Sequence, residues 1–167
     1  MPLIHLRIDN RLIHGQVTVA WVSMLGANHI IVVNDKVAVD PIQKVVLPQA
    51  ARGVKTSILT VDEATQYIKS DKASEEKIMI VAKFPSDALA LIEKGVEPKE
   101  IIVGNQAPLP GTKFKHITRS IAVTEDQAQI YKRIHDEGFQ LNSKLLPTDT
   151  PIDIIKALEK SGLLKQK

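Results

Sequence analysis

In Arg7-Ile8-Asp9-Asn10-Arg11-Leu12-Ile13-His14-Gly15-Gln16-Val17 an apolar run stops, charged and polar groups crowd together, and a helical pattern begins. Leu3 to Ile8 has the composition of a short buried strand. From Gly15 onward Val17, Val19, Ala20, Trp21 and Met24 recur at helix-like intervals, so His14 stands at a helix start. The first amides of a helix lack intrahelical partners and lie at the positive end of its dipole, which favours an anion there. Gly15 leaves the backbone open to close approach, and Arg7 and Arg11 flank the same position. A histidine so placed can act as a nucleophile that carries a phosphoryl group, with Arg11 and the helix terminus balancing the charge it acquires. A histidine merely satisfied by hydrogen bonds fits the same residues, and both readings stand at this point.

Outward from that stretch, strands and helices alternate. His29 to Asn34 is an unbroken apolar strand, the pattern of burial on both faces in mid-sheet. Asp40 caps a helix with Pro41 at its first position, and Ile42, Val45, Val46 and Gln49 trace what reads as its inward face until Gly53. Lys55 to Leu59 is a third strand. Thr60 with Glu63 forms a capping box, Ser70 to Glu76 reads as a solvated loop, and Ile78 to Ala82 is strand four. Ser86 caps a helix that Gly95 ends, and Ile101 to Val103 follows as a strand. Gly104 to Lys115, with Pro108, Pro110 and Gly111, reads as irregular, and such long connections often carry function. Ile117 to Val123 is a sixth strand. Thr124 with Gln127 opens a helix closed by Gly138, and Phe139 to Leu145 is a seventh strand. Thr150 and Pro151 start a last helix with Ile152, Ile155 and Leu158 as its core stripe. The expected fold is α/β: an open, mostly parallel sheet of about seven strands with helices on both faces. Ligands of such sheets gather beyond the carboxyl ends of the strands. The loop of His14, Asn34-Asp35, Lys83 to Ser86 and Gly104-Asn105 all follow strands and share that edge.

The 167 residues suit one domain spanning 1–167, and 44% hydrophobic with 25% charged residues is a globular composition. No apolar run reaches the roughly 20 residues that span a bilayer, and Met1 leads directly into a strand, so no leader and a cytosolic location are expected. The absence of cysteine excludes disulfides and thiol chemistry. A net charge of +3 invites a nucleic-acid reading, but the 22 Lys and Arg are dispersed and aromatics make up only 4%, so stacking platforms are scarce and no nucleic acid is expected. No cofactor motif occurs, and no His-Glu-x-x-His or Cys cluster points to a metal.

The stretch Arg7 to Val17 closely resembles the phosphorylation loop of enzyme IIB components of the mannose/fructose/sorbose family of the bacterial phosphoenolpyruvate-dependent sugar phosphotransferase system. The resemblance continues through Ile31-Val32-Val33-Asn34-Asp35, Asp40-Pro41, Glu93-Lys94-Gly95-Val96 and Val103-Gly104-Asn105, nearly the full chain. Family members usually show Gly-Gly at 104–105 and often Asp at 10. Gly104-Asn105 resembles the N-acetylgalactosamine and galactosamine branch, and Asn10 puts an essential carboxylate at that position in question. The resemblance implies a phosphohistidine–sugar phosphotransferase: His14 takes the phosphoryl group on Nδ1 from a phosphohistidine of enzyme IIA. It then passes the group to a sugar held by the membrane components IIC and IID. It further implies a cytoplasmic protein attached to the membrane's inner face through IIC and IID, with a homodimer left open.

Phosphoryl transfer needs an in-line nucleophile and an electrostatic cradle and little more. Arg11, three residues before His14, offers a planar fork for two phosphate oxygens and lowers the pKa of an imidazole that must be neutral to attack. Arg7 either shares that role or pairs structurally with Asp9 or Asp35. Asp9 either orients His14 or holds the loop by capping, and Gln16 at the helix start can donate to phosphate or to a partner. The remaining histidines, His5, His29, His116 and His135, read as structural. A receiver-like signalling domain phosphorylated on an aspartate is the rival, with Asp9 and Asp35 after strands as its foothold.

Overall fold

The computed structural model describes residues 2–165. Its centre is β1 (Leu3–Asp9), which is buried from Ile4 onward and pairs in parallel with β4 (Lys77–Ala82) on one side and β5 (Glu100–Asn105) on the other. Beyond β4 lie β2 (His29–Val33) and the edge strand β3 (Lys55–Leu59), and beyond β5 lie β8 (Leu141–Ser143) and the short antiparallel β9 (Ile152–Asp153). The seven-stranded order is β3-β2-β4-β1-β5-β8-β9. Every strand but β9 is parallel, as the alternation of strand and helix requires. All five residues of β2 are buried, which is what its unbroken apolar run anticipates.

Alternate residues of the strands feed two cores. Ile4, Leu6, Ile8, Ile31, Ile80 and Val103 face α4 (Val61–Ile68), α5 (Pro85–Glu93), α6 (Glu125–Asp136) and α7 (Ile154–Lys160). Ile30, Val32, Met79, Val81 and Ile102 face α1 (Gly15–Leu25), α2 (Asp35–Ala38) and α3 (Pro41–Ala50), with Trp21 and Leu47 packed against them. The capping boxes Thr60/Glu63 and Thr124/Gln127 both form, and the Asp40 carboxylate accepts from the amides of Ile42 and Gln43 at the start of α3.

Several boundaries differ from the sequence expectation. Ile117 to Val123 is not one strand. It folds back at Arg119-Ser120 into an antiparallel hairpin of β6 (Phe114–Thr118) and β7 (Ile121–Thr124), separate from the main sheet apart from a Gln106–Ile121 bridge. Gly104 and Asn105 complete β5, and Phe114 and Lys115 open β6, so only the stretch between them is irregular. The stripe Ile42, Val45, Val46 of α3 points outward, at 72%, 61% and 52% exposure, whereas Leu47 is the residue of that helix that is buried. Pro85, not Ser86, begins α5, with the Asp87 carboxylate accepting from the Phe84 amide. The stretch 70–76 holds a 3-10 turn, Asp71–Ala73, whose Ala73 is buried. The last helix starts at Ile154, capped by Asp153, and Ile152 lies exposed in β9. Of the expected stripe, Ile155 is half-buried and Ile154 takes the core place beside Leu158. The seventh expected strand shrinks to Leu141–Ser143, because the carbonyls of Lys144 and Leu145 turn away to meet side chains from β1 and α1.

Candidate phosphoryl-acceptor site

The connections leaving β1 and β5 run to opposite sides of the sheet, so the crevice beyond their carboxyl ends is the topological switch point where open α/β sheets bind ligands. The loop 9–14 crosses it. Its path is fixed by two apolar anchors, Leu12 and Ile13, at 5% and 6% exposure. Leu12 adopts φ +64°, a left-handed conformation that costs a branched-chain residue energy and clusters at functional loops. A turn from the Asp9 carbonyl to the Leu12 amide closes the bend. The anchored hydrophobes leave Asn10 and Arg11 half-buried and His14 exposed.

Asp9 is the hub. Its carboxylate is 1% exposed and accepts from Arg7 Nη2 at 3.4 Å, Arg11 Nη2 at 3.2 Å, Arg11 Nε at 3.3 Å and the Arg11 amide at 2.9 Å. Arg7, 3% exposed, also donates to the carbonyls of Lys144 and Leu145 and lies 5.2 Å above the Trp21 ring. Burial pulls its guanidinium pKa down and Asp9 pushes it back. Arg7 therefore pairs with Asp9 rather than Asp35. Asp35 caps Val61 instead. Arg11 keeps 27% of its side chain exposed, held by Asp9 along one edge of its fork and open on the other.

His14 precedes α1, and its own side chain makes no capping hydrogen bond. Its amide donates to Thr18 Oγ1 at 2.8 Å, and its carbonyl accepts from Val17 and Thr18. The amides of Gly15 and Gln16 have no intrahelical acceptor. Gly15 stands at φ +45° with open space where a Cβ would be, and Gln16 is exposed on the first turn. The arrangement leaves an exposed histidine at a helix start, three residues after a guanidinium that is open along one edge.

Three residues that sequence reasoning did not place in the site, Thr18, Trp21 and Gln106, shape it together with Gly104, which the sequence places on the same edge. Thr18 holds the His14 backbone. Trp21, 1% exposed, carries Arg7 and donates Nε1 to the Leu145 carbonyl at 2.8 Å. Gly104 sits where the β1–β5 register slips, and a Cβ there would collide with the Arg7 guanidinium and come within 2.7 Å of Asp9 Oδ2. Gln106, 2% exposed, pairs its backbone with Ser120 and Ala122 and its side chain with the Lys83 carbonyl. The Gly-Asn pair after β5 was the available signal for Gly104. For Trp21 and Gln106 no local signal existed.

The other histidines are partnered. His5 stacks on Trp21 and pairs with Glu100 at 3.0 Å, and burial pushes its pKa down to about 4. His29 lies between Glu76 and Ser57 in a Ser-His-Glu arrangement, but it is fully buried beneath Tyr67 and braces β2, β3 and α4. His135 Nδ1 meets the Phe139 carbonyl, and His116 packs against Phe114.

Fold and loop together define an α/β protein with an anion-ready, histidine-bearing loop at the carboxyl edge of a parallel sheet. The chain matches the PTS system sorbose subfamily IIB component over residues 3–167 and belongs to that family, as a IIB component of the sugar phosphotransferase system. It is 35% identical over 160 residues to the N-acetylgalactosamine-specific phosphotransferase enzyme IIB component 2 of Escherichia coli (strain K12), covering 95% of this chain and 100% of that protein. It is 33% identical over 163 residues to the fructose-specific EIIB component of Bacillus subtilis (strain 168), covering 95% and 96%. The IIBSor domain of the sorbose permease from Klebsiella pneumoniae superposes with a TM-score of 0.90 at 27% identity, covering 96% and 98%.

Proposed function

We propose that His14 receives a phosphoryl group from a phosphohistidine of enzyme IIA and delivers it to a sugar presented by IIC and IID. The observation that carries this reading is the exposed His14 at the start of α1, on the same short loop as an Arg11 fork that Asp9 holds by one edge and leaves open on the other. The neutral imidazole attacks phosphorus through Nδ1, the nitrogen that the family resemblance implies. The donor ring, carrying a proton on its other nitrogen, takes back the electron pair as its P–N bond breaks and leaves as neutral imidazole, while the His14 ring keeps its own N–H and becomes the phosphoimidazolium. No proton need be supplied in that step. In this reading the charge on the three transferred oxygens is met by Arg11 and the helix amides. In the second transfer a sugar hydroxyl attacks phosphorus and releases its proton to solvent, the N–P bond breaks, and its electron pair returns His14 to neutral imidazole, so the sugar needs no cavity in this chain. Among the described residues no helix is long and apolar enough to cross a membrane, which suits a cytoplasmic component that meets its membrane partners from one side.

The rival, phosphorylation of an aspartate, finds Asp9 sequestered by two guanidiniums and Asp35 committed to the Val61 amide. The test is intact mass after incubation with phosphoenolpyruvate, the general phosphotransferase proteins and IIA, for wild type and for His14→Ala, His5→Ala, His29→Ala, His116→Ala and His135→Ala. The expected result is an alkali-stable, acid-labile phosphate in every protein except His14→Ala. A labelled His14→Ala overturns the proposal.

A further inference from the structure

Asn10 bridges the two strand ends that meet at the switch point. Its Oδ1 accepts from Asn105 Nδ2 at 3.2 Å and from the Ala107 amide at 3.2 Å, and its Nδ2 donates to the Ala107 carbonyl at 3.2 Å. The Asn10 amide adds a bond to the Asn105 carbonyl at 3.0 Å. Ala107 has already left β5, yet both of its backbone groups are paired with one side chain, much as a neighbouring strand would pair them. Only an amide can do this, because the pairing needs a donor and an acceptor on the same planar group. Beyond Ala107 the exposed connection to β6 is held by local bonds, such as those from the Thr112 amide and hydroxyl to the Leu109 carbonyl. On its other side Asn10 adjoins Asp9 and Arg11, the pair that sets the fork beside His14.

Charge points the same way. Two guanidiniums share the Asp9 carboxylate, so this part of the loop keeps one uncompensated positive charge. A carboxylate at position 10 would offer Arg11 a second anion and would face the Ala107 carbonyl with no proton to give.

We infer that Asn10 is a positioning residue for phosphoryl transfer: its uncharged amide clamps the connection after β5 to the acceptor loop, holding Arg11 and His14 in register while leaving the loop's surplus positive charge for the phosphoryl group. The inference rests on His14 being the acceptor.

The experiment measures phosphorylation of His14 by phosphorylated IIA, as a saturating rate and a KM for the donor, in wild type, Asn10→Ala, Asn10→Asp and Asn105→Ala. Backbone amide exchange and thermal melting are recorded on the same proteins. Asn10→Ala is expected to raise exchange at Ala107 and to cut the saturating rate on the order of tenfold, with KM within about twofold of wild type, because misplacement of reacting groups acts on the chemical step. Asn105→Ala, which removes one hydrogen bond of the set, gives a smaller loss in the same direction. Asn10→Asp falls below Asn10→Ala, since it adds a competing charge to the loosened clamp.

Asn10→Ala that loses protection at Ala107 yet loads at the wild-type rate makes the clamp purely structural and overturns the inference. So does a loss confined to KM, which would assign Asn10 to donor docking, or an Asn10→Asp that matches wild type. Wild-type protein that loads elsewhere than His14 overturns the proposed function, and the inference with it. Loading at His14 with an unslowed Asn10→Ala overturns the inference alone.

Discussion

Two arginines four positions apart follow different laws. Arg7 is buried and spends its donors on Asp9 and two main-chain carbonyls, whereas Arg11 remains one-sided and accessible. Arg11→Ala should therefore fold normally and load phosphate slower by a factor on the order of 10² to 10³, the cost of one preorganised donor, with Arg11→Lys recovering only part. Wild-type loading rates in Arg11→Ala, followed by rapid quench, would remove it from the cradle. Gly104→Ala pushes a methyl group into the Arg7 guanidinium, so it should destabilise by about 1–3 kcal/mol, the usual cost of overpacking, and slow loading through the shared Asp9. Urea unfolding with an unchanged midpoint would refute that. At this scale the sequence singles out the loop of Arg11, His14, Gly15 and Gln16, whose residues adjoin one another in the chain, but it gives no sign that Asn10 pairs with Asn105 and Ala107 across the fold. It left Arg7 and Asp9 between two roles each, since what decides them is the carbonyls of Lys144 and Leu145 and the Trp21 ring, which no local pattern connects to residue 7.

Helix boundaries were readable where a side chain caps its own turn, as at Asp40, Thr60 and Thr124. They were missed where the signal lay elsewhere. The β6–β7 turn contains no glycine, proline or asparagine. Arg119-Ser120 is held instead by the Ser120 amide on Thr118 Oγ1 and the Ser120 hydroxyl on the Gly104 carbonyl. The apolar i, i+3, i+4 stripe of α3 was correctly seen as one face, but periodicity fixes a face and not its direction. That orientation is testable. Leu47→Ala should cost about 2–4 kcal/mol as a core truncation, while Val45→Ala and Val46→Ala should stay within about 0.5 kcal/mol of wild type. Comparable losses at 45 and 47 in chemical denaturation would place the stripe inward after all.

The parallel sheet and its active edge were legible because strand and helix alternate along the whole chain, and that alternation leaves few topologies. The whole molecule also carries a pH signature. His5 takes up a proton near 6.5 when unfolded but only near 4 when folded, owing first to burial, with Glu100 pulling the other way. Stability is then full above pH 6.5 and falls as the pH drops toward 4, by at most about 1.4 kcal/mol per pH unit. His5→Phe, which keeps a ring against Trp21, should flatten that part of the curve; identical urea midpoints for the two proteins across this range would contradict it. The bonds from Arg7 to the Lys144 and Leu145 carbonyls, and from Trp21 to Leu145, join residues 137, 138 and 124 positions apart. During synthesis Arg7 has Asp9 and water as partners, and the two carbonyls that replace that water arrive only once residues 144 and 145 have been translated. A fragment cut short before residue 144 lacks the acceptors of both Arg7 and Trp21, so the end of the central strand and the loop that follows it are completed last, by the tail of the chain.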